Sequence, residues 1–143
     1  MKKILIINGP NLNLLGLREP DLYGQATLSD INNHLKAVAE TLSLGVDFFQ
    51  TNSEGQMVEA IQRVGQEYDG AILNAAAYTH TSLAIRDAVL AINRPVVEVH
   101  LTNPSAREDF RRKSFLAGAA VGVIAGFGAR SYELALRWFA GQS

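Results

Sequence analysis

Five short apolar runs, separated by helix-like stretches, constrain the fold of this chain more than any other feature. They are Lys3–Asn8, Val46–Gln50, Gly70–Asn74, Pro95–Val99 and Ala119–Ile124. They are rich in Val, Ile and Leu and show little polar alternation. A strand with one wet face alternates; a strand covered on both faces does not. The first intervening stretch reads as a helix over Leu28–Leu44, with Thr27 as its cap and Gly45 as its stop. Ser53 followed by Gln56 reads as a capping box that opens a second helix, running to about Tyr68. Ser82–Ile92 is a third, with Leu83, Ile85, Val89 and Ile92 as expected core positions. Ala106–Phe115 reads as partly helical, and Ala129–Ala140 closes the chain. This alternation calls for a parallel sheet with right-handed crossovers. Five strands favour an α/β, flavodoxin-like three-layer sandwich of strand order 2-1-3-4-5, whose switch point lies between strands 1 and 3.

Composition narrows the partners. The 143 residues fit one domain, residues 1–143, long enough to bury a real core. A net charge of -1 gives no bulk pull toward nucleic acid or an anionic membrane. With no cysteine there are no disulfides, thiolate metal sites or thiol nucleophiles, which fits a cytoplasmic location. Lys2 and Lys3 precede only a short aliphatic run, too brief for a signal-peptide core. No segment approaches the roughly 20 apolar residues that span a bilayer.

The polar residues that carry chemistry gather after strands 1, 3 and 4, neighbours in the expected order, where open α/β sheets bind ligands. After strand 1 comes a long segment, Gly9–Gly24, punctuated by Gly and Pro at both ends and holding Asn11, Asn13, Arg18 and Tyr23. Ordered loops of this length usually bind or cover ligands. After strand 3 come Asn74 and Tyr78-Thr79-His80-Thr81-Ser82; after strand 4, Glu98-Val99-His100-Leu101-Thr102 with Arg107 and Arg111.

Glu98 and His100 are two apart on a strand and therefore share a face. The carboxylate can accept from one imidazole nitrogen and fix the tautomer, which suits His100 to general acid/base work; the plainer reading is a structural contact at a strand end. His80 reads as a ligand contact or as a helix cap. Tyr23 is a poor base at its ordinary pKa of about 10. A guanidinium stabilises its phenolate, and Arg18 and Arg107 are both placed to supply one. Arg111 reads either as a clamp for a carboxylate or hydroxyl-rich ligand or as part of a solvated basic face with Arg112 and Lys113. A Schiff base needs a site lysine, and Lys2, Lys3, Lys36 and Lys113 all fall outside these loops. No histidine pair has metal-ligand spacing, and Gly126-Phe127-Gly128 lacks the full dinucleotide pattern.

Three motifs together resemble the type II 3-dehydroquinate dehydratases. They are Gly9-Pro10-Asn11-Leu12-Asn13-Leu14-Leu15-Gly16 with Arg18-Glu19-Pro20 and Tyr23-Gly24; Tyr78-Thr79-His80-Thr81-Ser82 leading to Arg86-Asp87-Ala88; and Glu98-Val99-His100 leading to Ala106-Arg107-Glu108 and Phe110-Arg111. The resemblance spans essentially the whole chain. It implies loss of water from 3-dehydroquinate to give 3-dehydroshikimate, the third reaction of the shikimate route. It also implies a flavodoxin-like dodecamer, a tetramer of trimers, that uses no metal or organic cofactor. By the same resemblance Tyr23 looks like the base at C2, Arg18 its activator with help from Arg107, and Asn11 the residue that holds a water against the enolate oxygen. His100, oriented by Glu98, looks like the acid that protonates the departing C1 hydroxyl. Asn74, His80, Arg111 and the backbone amides near Leu101 and Thr102 match substrate-holding positions. Asp87 matches a residue contributed by a neighbouring subunit. Two departures from one common form of the family stand out: Ala75-Ala76 where Pro-Gly is frequent, and Pro104-Ser105 where an aliphatic–His pair is frequent.

Two other classes share this fold. A flavin- or phosphate-binding module would use the loop after strand 1, and a retained flavin would show in the visible absorbance spectrum. A non-catalytic assembly or regulatory protein would have no need of Arg18, Tyr23, Glu98 and His100 together.

Overall fold

The structure, a computed structural model, describes residues 1–17 and 25–142. Five parallel strands form one sheet: β1 Lys3–Asn8, β2 Gly45–Gln50, β3 Gly70–Asn74, β4 Val96–His100 and β5 Gly122–Ala125. Their order is β2-β1-β3-β4-β5, as expected for a flavodoxin-like sandwich. Among the described residues, four helices cover the faces: α1 Leu28–Thr41, α2 Glu54–Glu67, α3 Leu83–Ala91 and α4 Arg130–Ala140.

Side-chain alternation explains the unbroken apolar runs. Ile4, Ile6, Ile72, Val97 and Val99 face α1 and α4, meeting Leu35, Ala39, Tyr132, Leu136 and Phe139. Leu5, Ile7, Ala71, Leu73 and Val96 face α2 and α3, meeting Met57, Ile61, Val64, Ile85 and Val89. Each central strand thus buries both faces.

The helix ends depart from the sequence reading in instructive ways. Gly45 does not stop α1. The helix ends at Thr41, Ser43 takes the left-handed conformation (φ 57°), and the Leu44 amide donates to the Ala39 carbonyl at 2.9 Å. Gly45 is instead the first residue of β2. The reciprocal capping box sits at Thr27 and Asp30, where each side chain accepts from the other's backbone amide. Ser53 supplies only half of one: its hydroxyl accepts from the Gln56 amide, while the Gln56 carbonyl oxygen accepts from Thr51. Leu83, expected in the core, is 58% exposed because it opens the first turn of α3 and points away from the sheet; Ile85, Ala88 and Val89 fill the core instead. The 106–115 stretch is not a helix but holds part of one 3-10 turn, Pro104–Ala106, and a second, Asp109–Arg111. Strand β4 starts one residue late, since Pro95 has no amide to give, though its carbonyl accepts from Ala71 at 3.1 Å. Strand β5 starts at Gly122, because the Ala119 and Ala120 amides fold back onto the Leu116 carbonyl.

Candidate active site

Register brings the polar strand ends together. Asn8 pairs with Asn74 across β1 and β3, and Leu73 pairs with Glu98 across β3 and β4. The loops leaving these strands enclose a cleft of about 180 Å³. Gly9 lets two of them meet: a side chain there would lie 2.7 Å from the Ala75 carbonyl oxygen. Eight of the residues anticipated from sequence line the cleft: Asn11, Asn74, His80, His100, Leu101, Thr102, Arg107 and Arg111. Glu98 stands behind His100. Asp87 lies on α3 and does not line the cleft. Arg18 and Tyr23 lie outside the described residues.

The end of β4 carries the strongest chemistry. Glu98 and His100 are 2% and 7% exposed, and His100 Nε2 lies 2.6 Å from Glu98 Oε2. The second carboxylate oxygen, Oε1, accepts from the Ser114 hydroxyl at 2.8 Å. A carboxylate only accepts, so with Glu98 as the carboxylate the proton between it and His100 belongs to Nε2. That leaves Nδ1 as the nitrogen not engaged by Glu98.

His80 is held differently. Its Nδ1 lies 2.8 Å from the Lys113 carbonyl oxygen. A carbonyl only accepts, so Nδ1 carries the proton and Nε2 is left for a ligand. The His80 and His100 rings are nearly parallel, 6.4 Å between centroids. Lys113 therefore does reach the site, but through its backbone; its ammonium sits over the Phe115 ring at 5.0 Å.

Asn74 is fixed by a buried chain that the sequence did not announce. Its Oδ1 accepts from the Ala76 amide at 3.1 Å and its Nδ2 donates to the Tyr132 hydroxyl at 2.9 Å. Tyr132 in turn donates to Asn8 Oδ1 at 2.5 Å. Burial pushes the Tyr132 phenol well above its ordinary range, so it serves as a neutral donor rather than as a base. Ala76 adopts a left-handed conformation (φ 52°). That conformation costs an L-residue about 1–2 kcal/mol and is free for glycine. The Ala76 amide still reaches Asn74, so the Ala75-Ala76 departure keeps this hydrogen bond while adding local strain.

The basic residues form a rim. Arg107 Nη1 reaches the Thr102 hydroxyl at 3.5 Å. Arg111 donates through Nε to Glu108 at 3.1 Å. Hydrogen bonds from its own backbone amide and then from Arg111 hold the Glu108 carboxyl below its usual range. Asn11 takes a left-handed turn (φ 70°), and its amide donates to Asn52 Oδ1 at 3.0 Å. Gln50 donates to the Gly9 carbonyl at 3.2 Å and so ties β2 to the same loop.

Among the described residues no cluster of three or more His, Cys, Asp or Glu is arranged to hold a metal ion, and no helix is long and apolar enough to cross a membrane.

Comparison with known proteins bears on this cleft. The model of the family described as "Dehydroquinase class II" matches residues 2–140. The 3-dehydroquinate dehydratase of Prochlorococcus marinus (strain NATL1A) is 55% identical over 133 residues, covering 93% of this chain and 92% of that protein. The enzyme of the same name from Geotalea daltonii is 56% identical over 135 residues, covering 94% of each. Among solved structures, the type II dehydroquinase of Propionibacterium acnes superposes with a TM-score of 0.96 at 41% identity, covering 99% of this chain and 98% of that one.

Proposed function

This chain belongs to the class II dehydroquinase family, and on that premise we propose that it dehydrates 3-dehydroquinate to 3-dehydroshikimate through an enolate, as a single catalytic domain. The observation that carries the proposal is the buried Glu98–His100 pair at the edge of a cleft rimmed by Arg107 and Arg111.

A proton beside a ketone is acidic enough for a phenolate to remove if donors stabilise the enolate oxygen. Tyr23 takes the C2 proton, and Arg18, aided by Arg107, holds its phenolate. The other tyrosines are committed elsewhere. Tyr132 is buried in the Asn8–Asn74 chain, and Tyr78 donates to the Asn52 carbonyl. Tyr68 donates to Asp47, and burial followed by that carboxylate pushes its phenol up to about 12. Of the four tyrosines in the sequence, the three among the described residues are therefore committed to other partners. Asn11 holds a water against the enolate oxygen. His100 enters this step as the imidazolium, its Nε2 proton directed at Glu98, and gives its Nδ1 proton to the C1 hydroxyl; the C1–O bond breaks, and water leaves as the C1–C2 double bond forms. Glu98 stabilises the imidazolium and holds its orientation. Asn74 Nδ2, His80 Nε2, Arg111 and the amides near Leu101 and Thr102 hold the substrate. Base and acid come from separate parts of the chain, Tyr23 from the segment that follows β1 and His100 from the end of β4, which suits elimination across opposite faces.

Purified protein mixed with 3-dehydroquinate should give the rising ultraviolet absorbance of a conjugated enone, and borohydride added with substrate should leave activity intact. No rise would overturn the proposal; a lysine–substrate adduct in the mass spectrum would replace the enolate with an imine.

Asp87 belongs to this proposal as a contribution to a neighbouring subunit's site in a dodecamer built from trimers. Light scattering should give a twelve-subunit mass. A fully active monomer would contradict the shared site.

A further inference from the structure

We propose that Ser114 is a positioning residue for the acid: its hydroxyl commits its one proton to Glu98, and so fixes which nitrogen of His100 meets the substrate. The inference rests on the dehydratase reading for its kinetic consequences, but its geometry stands alone. A hydroxyl has one proton to give and two lone pairs. Both lone pairs of Ser114 Oγ are occupied, by the amides of Leu116 and Ala117, each at 3.0 Å. Its proton is therefore directed at the remaining partner, Glu98 Oε1, at 2.8 Å. That leaves Oε2 for the Nε2 proton of His100 at 2.6 Å. With Glu98 as the carboxylate, every bond from the backbone to the imidazole has one permitted direction, because amides only donate and a carboxylate only accepts.

The segment that carries Ser114 is anchored on both sides. The Phe115 amide donates to the Thr79 carbonyl at 2.9 Å, and its own carbonyl accepts from Arg86 at 2.8 Å. One residue before Ser114, the Lys113 carbonyl takes the Nδ1 proton of His80. Two consecutive residues, Lys113 and Ser114, thus act on the two imidazoles, and Phe115 and Arg86 hold the strap that carries them. A Ser114 hydroxyl satisfied only by solvent would leave the Glu98 carboxylate free to rotate about its own axis, and with it the ring it aims.

Without the hydroxyl, Glu98 loses a charge-assisted donor, and the acid loses aim rather than identity. Ser114→Ala should therefore lower kcat about tenfold while KM stays within about twofold, because the acid acts only once the C1–O bond is breaking. Ser114→Thr, which keeps both the proton and the lone pairs, should restore kcat. In 15N NMR of the free protein, the neutral ring of the parent His100 should be a single tautomer with the proton on Nε2. The Ser114→Ala ring should show both tautomers or exchange between them, and this readout needs no turnover. A parent that does not dehydrate 3-dehydroquinate would overturn the dehydratase reading but leave the tautomer prediction standing. A Ser114→Ala protein with parental kcat and the Nε2–H tautomer alone would overturn the positioning role. So would a loss of kcat in Ser114→Ala that Ser114→Thr fails to restore, because the hydroxyl would then not be the group that matters.

Discussion

His100→Asn should lower kcat by about 10²–10⁴-fold, the usual cost of removing a positioned general acid. The choice of Asn matters. Glu98 is only 2% exposed, and an apolar replacement for His100 would strand a buried carboxylate. Such a stranded charge costs about 3–5 kcal/mol and would confuse unfolding with lost chemistry. An Asn amide can still donate toward Glu98 Oε2 but has no proton to deliver to a leaving hydroxyl. The variant should accordingly keep a melting temperature near that of the parent and bind an unreactive substrate analogue with similar affinity. Product absorbance against time, a thermal melt and an equilibrium titration separate the three quantities. Turnover close to the parent would remove His100 from the acid role and return the Glu98 contact to a structural one.

Tyr23→Phe should be at least as damaging. It deletes one oxygen, keeps the ring, and should lower kcat by about 10²–10⁴-fold or more while folding and ligand binding change little. The hydroxyls of Tyr68, Tyr78 and Tyr132 each donate to a protein acceptor, and those of Tyr68 and Tyr132 are harder to ionise than a free phenol. A phenolate is available only where a guanidinium pays its electrostatic cost and no acceptor claims the proton. Arg107 on the cleft rim offers one such group. Near-normal turnover in Tyr23→Phe would move the base elsewhere.

Much of the fold was legible because its strands are covered on both faces. Runs such as Ile4-Leu5-Ile6-Ile7 and Ala71-Ile72-Leu73 contribute to both cores, so they lack the alternation that would have suggested a half-exposed sheet. Boundaries were less legible where a backbone conformation decides them. Ser43 takes the left-handed turn that the nearby Gly45 seemed to offer, and the 104–111 region breaks into two 3-10 turns despite its helical composition. Within the site, Glu98 and His100 were readable because strand geometry alone puts residues two apart on one face. Ser114 and Tyr132 were not. Ser114 lies in a basic stretch that reads as solvent-exposed, and meets Glu98 from 16 positions away. Tyr132 looks like one more apolar residue of the last helix, yet its hydroxyl joins Asn8 to Asn74. Long-range polar partners of this kind leave no local pattern. A serine two residues before an apolar position, or a tyrosine opening a helix, occurs too often to be diagnostic.

The division of labour between base and acid is tested most directly by profiles of kcat/KM against pH for Arg18→Gln and Glu98→Gln beside the parent. Arg18→Gln removes the charge that favours a phenolate, so the acidic limb should move to higher pH. Glu98→Gln keeps the shape of the pair but removes the charge that favours an imidazolium, so the basic limb should move to lower pH. The limbs report macroscopic titrations of coupled groups, so each variant can also nudge the other limb slightly. The account predicts opposite limbs displaced in opposite directions. Displacement of the same limb in the same direction by both variants would contradict it.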